Sequence, residues 1–239
     1  MTDTLNLSSP DASLHGDSDS TADARWYGAY PAIVADNNDP DNQGRVKIAL
    51  PWAPDAMAGR YETWARLATM MAGNDRGTFF VPNKDDEVLV IFQGGDPSFP
   101  FVIGSLWNGK DSPPVSASVQ NERRMIRSPG GITITLDDRK GQEVFTVELP
   151  GQRKLTLSNG GGSFQVKDDL GNSLQMTSQG VKITAGAKFE IVCSKAVITA
   201  SDLTVNAGKT TFTGMVKAET VEATSFIGQS YTNGAGNIW

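Results

Sequence analysis

From Trp26 onward, short apolar runs alternate with proline, glycine and acidic breaks. The runs lie at residues 30–35 (YPAIVA), 44–52 (GRVKIALPW), 63–71 (TWARLATMM), 77–82 (GTFFVP), 86–92 (DEVLVIF) and 99–107 (FPFVIGSLW). Short runs rich in β-branched and aromatic residues, bounded by turn formers, predict strands. Only residues 61–71 have a length and content compatible with a helix, and their neighbours favour a strand ending in a loop at Ala72-Gly73-Asn74.

The second half follows a different rule. No proline occurs after Pro150, and strict alternation takes over in KLTLS, SFQVKD, NSLQMTS, VKITA, FEIVC, AVITA, DLTVN and TTFTG. Period-two alternation places one row of side chains inward and the next outward. Gly151, Gly161, Gly171 and Gly180 recur at steps of ten, ten and nine, where a chain of short strands must turn. Repetition at this period marks a solenoid or fibre.

Strands of four to six residues with Thr, Ser and Lys on alternate positions carry too little apolar surface for a closed two-sheet core. A lone copy would leave edges open to pairing, so identical chains are expected to cover them. Three copies wound about one axis would form a triangular prism. Its inward candidates are Val181, Ile183, Phe189, Ile191, Val197, Leu203, Val205, Phe212 and Val216. At about 1.5–3 kcal/mol per buried side chain, such a set is worth on the order of 15–25 kcal/mol gross per chain. The missing prolines fit, since a ladder bonded on both sides has no place for a residue lacking an N–H. Lys167, Lys182, Lys188, Lys195, Lys209 and Lys217 are expected outside. A β-sandwich with a repetitive appearance is the alternative.

These patterns divide the chain into a flexible tail (1–25), a first domain (26–110), a linker (111–128) containing Pro113-Pro114, and the repetitive region (129–239). Residues 1–25 are rich in Asp, Ser and Thr, with too few apolar residues to offset chain entropy. They lack the basic start and apolar core of a secretory signal, so no export by that route is expected.

Charge narrows the function. With 21 Lys+Arg against 27 Asp+Glu, the net charge is −6, which argues against nucleic acid as a partner because phosphate neutralisation supplies much of that affinity. Cys193 stands alone and cannot form an intrachain disulfide.

The first domain carries Asp39-Pro40, Gly44-Arg45-Val46, Trp64-Ala65-Arg66, Ala72-Gly73, Gly77, Pro82, the strand 86–90, Gly95-Asp96-Pro97, and Gly104 before Trp107-Asn108. In combination these resemble the oligonucleotide/oligosaccharide-binding (OB) barrel of phage baseplate assembly protein V and VgrG-type spikes. The repetitive tail is similar to that family's triple-stranded β-helix. The resemblance implies an all-β chain: an N-terminal OB-fold barrel followed by an intertwined, homotrimeric β-helical prism. It also implies a non-enzymatic, membrane-piercing spike of a contractile tail or injection system, part of a virion or tail-like particle. Partners would be a threefold hub and other baseplate proteins, the target envelope transiently, and a PAAR-like tip protein over Asn237, Ile238 and Trp239. The family's larger hub region and lysozyme domain have no counterpart, so the hub is expected to be a separate protein. The His-x-His apex that binds iron in some phage spikes also has no counterpart, so neither metal nor cofactor is expected. A receptor-binding tail fibre is the alternative, separable because a receptor binder adsorbs to cells without its sheath. An OB-fold nucleic-acid binder is a weaker alternative, separable by filter binding at low salt.

The remaining chemistry reads as structural. His15 has no orienting partner, and no G-x-S-x-G occurs. Cys193 is expected to be buried and inert. The acidic pairs at Asp85-Asp86-Glu87, Asp137-Asp138 and Asp168-Asp169 read as solvated turn charge rather than a glycosidase pair. The loop 36–44 is rich in oxygen ligands but has Leu50 where an EF-hand starting at Asp39 needs Glu, so Asx-turn chemistry is expected. Trp26, Trp52, Trp64 and Trp107 could stack bases, but core or interface roles are the expectation.

Overall fold

A computed structural model describes residues 25–53, 61–225 and 227–229. Among the described residues strand is the dominant regular element, with a 3-10 turn at Gln93–Gly95. In chain order the first seven strands are β1 (Ala29–Asp36), β2 (Val46–Leu50), β3 (Tyr61–Leu67), β4 (Ala72–Gly73), β5 (Arg76–Gly77), β6 (Glu87–Phe92) and β7 (Pro100–Ser105). A closed barrel forms in the order β1-β2-β3-β7-β6, with β4 and β5 as a separate small hairpin. Residues 61–67 are thus strand, as their neighbours indicated.

Alternation explains the barrel. Val34, Val46, Ile48, Leu50, Ala65, Val88, Val90 and Val102 are fully buried and point into one core, while their strand neighbours face outward, as the pleat requires. One end is closed by rings: Trp26 lies against Trp52, Tyr61 and Phe92 at centroid distances of 5.1, 5.7 and 5.2 Å. Tyr30 stacks on Trp52 at 4.6 Å. The Trp52 indole donates to the Pro31 carbonyl at 2.7 Å, so its one polar atom is satisfied.

The next seven strands are β8 (Arg123–Arg127), β9 (Thr133–Asp137), β10 (Val144–Leu149), β11 (Arg153–Ser158), β12 (Ser163–Lys167), β13 (Ser173–Thr177) and β14 (Gly180–Thr184). They form one sheet in strict chain order, each antiparallel to its sequence neighbour. Turns recur at a ten-residue step: Gly131, Gly141, Gly151, Gly161 and Gly171 all have φ between 74° and 87°, a region glycine enters without a Cβ penalty. The period therefore starts at Gly131, earlier than the four glycines noted from sequence. The sheet also begins earlier, because β8 lies inside the stretch 111–128 expected as linker. Three arginines among its five residues hide its alternation.

Residues 187–239 separate from the preceding chain as a unit of their own. Between 187 and 225 no strand is assigned, although FEIVC, AVITA, DLTVN and TTFTG alternate as strands do. Among the described residues these segments have no ladder partner. No helix among the described residues is long and apolar enough to cross a membrane.

Candidate functional site

The register of the seven-stranded sheet sorts its side chains into two unlike faces, because directly paired residues of neighbouring strands share a face. One row runs Arg124, Leu136, Phe145, Leu157, Phe164, Met176, Val181. The parallel row runs Ile126, Ile134, Val147, Leu155, Val166, Leu174, Ile183. Every member of the two rows is apolar except Arg124, which is ion-paired to Asp138 at the sheet margin. The opposite face carries the row Met125, Thr135, Thr146, Thr156, Gln165, Gln175, Lys182. Beside it, Lys154 is ion-paired to Glu148. Lys167 and Lys182, expected outside, lie on this polar face.

Among the described residues the apolar rows are only partly covered. Leu136, Leu157, Val166, Met176, Ile126, Ile183 and Val181 remain 39–62% exposed, and a hollow of about 580 Å³ opens over Leu136, Phe145, Leu157, Phe164 and Met176. A continuous apolar surface of this kind is rare on a soluble monomer and marks an interaction face. Of the inward candidates read from sequence, Val181 and Ile183 sit at the β14 end of these rows. Phe189, Ile191, Val197, Leu203, Val205, Phe212 and Val216 lie in the strandless stretch and are 60–72% exposed. Cys193, expected buried, is exposed in the single chain. Asn237, Ile238 and Trp239 lie outside the described residues, as does His15.

The sequence reading missed the wider part of this surface. Phe145, Leu155, Leu157, Phe164, Val166 and Leu174 belong with Val181 and Ile183, and the alternation of KLTLS, SFQVKD and NSLQMTS was the signal that joins them.

Two carboxylates, one in the Asx-rich loop and one in the acidic pair Asp137-Asp138, are far from solvated. Asp39, buried in the loop between β1 and β2, accepts backbone N–H bonds from Asp41 (3.0 Å), Gln43 (2.8 Å) and Arg45 (3.1 Å). The Arg45 guanidinium bonds its carboxylate at 2.7 Å, pairs also with Asp41, and lies over the Trp64 ring at 5.6 Å. Oxygens used in this way by N–H donors close the loop themselves. The Arg45 side chain, ahead of the backbone bonds, holds the Asp39 carboxyl well below its ordinary value of 3.8. Asp137, also buried, is held below its ordinary value mainly by Arg139, whose Nε lies at 2.8 Å, with Arg123 at 3.4 Å from the facing strand. Asp168 spans the β12–β13 turn by accepting from the backbone of Leu170 and Asn172. Glu87 accepts from the Asn108 amide at 2.7 Å.

A carboxylate whose pKa is depressed by folding stabilises the fold above its unfolded pKa, and that contribution fades as pH falls through the lower, folded value. Asp39→Asn is therefore expected to lower the melting temperature by several degrees at pH 7. The gap to wild type should hold down to about pH 5 and shrink below about pH 4. Thermal melts across that range check it, and a gap that widened in acid would contradict the assigned role.

With the barrel described, its kinship can be stated. Residues 30–107 match the family model described as the type VI secretion system/phage-baseplate injector OB domain. The barrel is thus similar to an injector OB domain. This span contains every strand of the barrel except the first residue of β1. Among curated relatives, the type VI secretion system spike protein VgrG4b of Pseudomonas aeruginosa is 33% identical over 114 residues, 45% of this chain and 14% of that protein. VgrG3 of Vibrio cholerae, also a type VI secretion system spike protein, is 28% identical over 109 residues, 43% of this chain and 11% of that protein. The actin cross-linking toxin VgrG1 of Vibrio cholerae is 28% identical over 109 residues, 43% of this chain and 10% of that protein. The chain thus spans about a seventh or less of these relatives. Of the tryptophans in and before the matched span, Trp26 and Trp52 are taken up by the aromatic cluster and Trp64 lies beneath Arg45, whereas Trp107 is 70% exposed.

Proposed function

We propose that three copies of this chain associate through the apolar face of the seven-stranded sheet and the alternating segments beyond it, forming the spike of a contractile tail or injection machine. The observation that carries this reading is the two-row apolar face, left largely open on a chain whose barrel matches an injector family model. Three such faces turned toward one axis give each apolar row a cover and leave the Thr and Gln rows outside. The stretch 187–225 completes its backbone bonding only across chains in this arrangement, making a rod whose N–H and C=O groups are internally paired. A rod of that kind can be driven through the hydrocarbon layer, where an unpaired backbone group costs several kcal/mol.

The barrel docks on a threefold hub built from other baseplate proteins, residues 129–239 form the needle, and Asn237, Ile238 and Trp239 form its tip or seat a PAAR-like cap. The part is mechanical, without catalysis, cofactor or nucleic acid, and it belongs to a phage-tail-like particle. Deleting residues 225–239 is expected to leave a folded trimer and to abolish most killing or infection by assembled particles. Undiminished killing by particles carrying the deletion would refute the tip assignment.

A further inference from the structure

We infer that assembly is ordered, with the seven-stranded sheet joining the three chains first and the stretch 187–225 pairing only afterwards on that template. The inference rests on the trimer reading and concerns how that same surface is used. Two observations set the order. Strands β8 to β14 are laddered within one chain, so their apolar rows are already arranged side by side before any partner arrives. Residues 187–225 have no strand within the chain, and their apolar side chains are largely exposed.

The two regions therefore meet a partner in different states. Docking two preformed sheets buries Phe145, Leu155, Phe164 and their neighbours at once, with little further backbone ordering. Pairing the later stretch fixes the backbone of each residue, and every such residue resists with conformational entropy before the ladder repays it. Brought together by docked sheets, three such segments see one another at an effective concentration in the millimolar range for short tethers. In dilute solution they lack that advantage. The β14 strand, Gly180–Thr184, is the edge from which pairing extends, since its outer side has no partner in the sheet order.

Three variants of the full chain test the order. Leu155→Asp puts a charge in the middle of the apolar face, in register between Val147 and Val166. Thr156→Asp puts the same charge on the polar face of the same strand. Leu203→Asp charges the later stretch. Mass is read by light scattering, digestion by limited proteolysis, and barrel integrity by near-ultraviolet circular dichroism from the Trp26–Trp52 cluster. Expected are a monomeric L155D with a native barrel signal and rapid cleavage beyond residue 186, a trimeric T156D, and an L203D that stays trimeric while losing protection only beyond residue 186. A trimeric wild type whose L203D is monomeric would overturn the order alone, and so would an L155D that remains trimeric. A monomeric T156D would overturn the assignment of faces. A monomeric wild type would overturn the trimer reading itself, and the order with it.

Discussion

Val205→Pro should cost the assembled protein far more than it costs the single chain. Val205 lies in the strandless stretch, where no ladder within the chain uses its N–H. Proline fits an extended backbone and favours the same conformation in the preceding Thr204, so local geometry is kept. What it removes is a donor. If that N–H bonds a neighbouring copy, a carbonyl of the neighbour is left unpaired in each of three places, at about 1–3 kcal/mol apiece. Calorimetry of the purified protein should show a steep fall in melting temperature for Val205→Pro and little change for Val205→Ile. Equal melting of all three forms would mean that residue 205 takes part in no ladder.

Ile48→Ala is expected to be the most damaging single truncation in the barrel. Ile48 is fully buried in β2, between Val34 of β1 and Thr63 of β3 in register. Replacing a buried Ile with Ala costs about 2–5 kcal/mol through lost transfer energy and the cavity left behind. Domains of this kind are stable by about 5–15 kcal/mol, so a large share is lost. Ile103, 43% exposed on β7, provides the contrast, because a surface truncation away from special features stays within about 0.5 kcal/mol. Urea unfolding followed by the fluorescence of Trp26 and Trp52 separates the two; similar midpoints would place the core elsewhere.

The barrel was legible because its strands alternate cleanly and its turns carry distinctive residues. DEVLVIF buries Val88, Val90 and Phe92, and Asp39 and Arg45, noted as part of a motif, turn out to be ion-pair partners in one loop. The sheet was legible only in part. KLTLS and SFQVKD announced strands, but β8 was hidden because Arg123, Arg124 and Arg127 give it the composition of a linker. Buried carboxylates were misread for a related reason. Asp137 sits in an acidic pair at a strand end, and no local pattern says that Arg123, fourteen positions earlier, faces it across a ladder.

The tail shows the other limit. Its alternation predicts strands, yet a strand is a relation between two segments, and one chain offers Phe189, Ile191 and Leu203 no second segment. Nine inward positions were named there and at β14, while the rows beginning at Ile126 and Leu136 went unnamed. Sequence gives the parity of each strand readily, but the register that aligns seven parities on one face comes from the hairpins between them.

Light scattering on the purified chain in dilute solution tests the central claim most directly. The account predicts a mass near three times 25.5 kDa that persists on dilution. A well-ordered species at 25.5 kDa would contradict it, since the apolar face and the alternating segments would then have no cover.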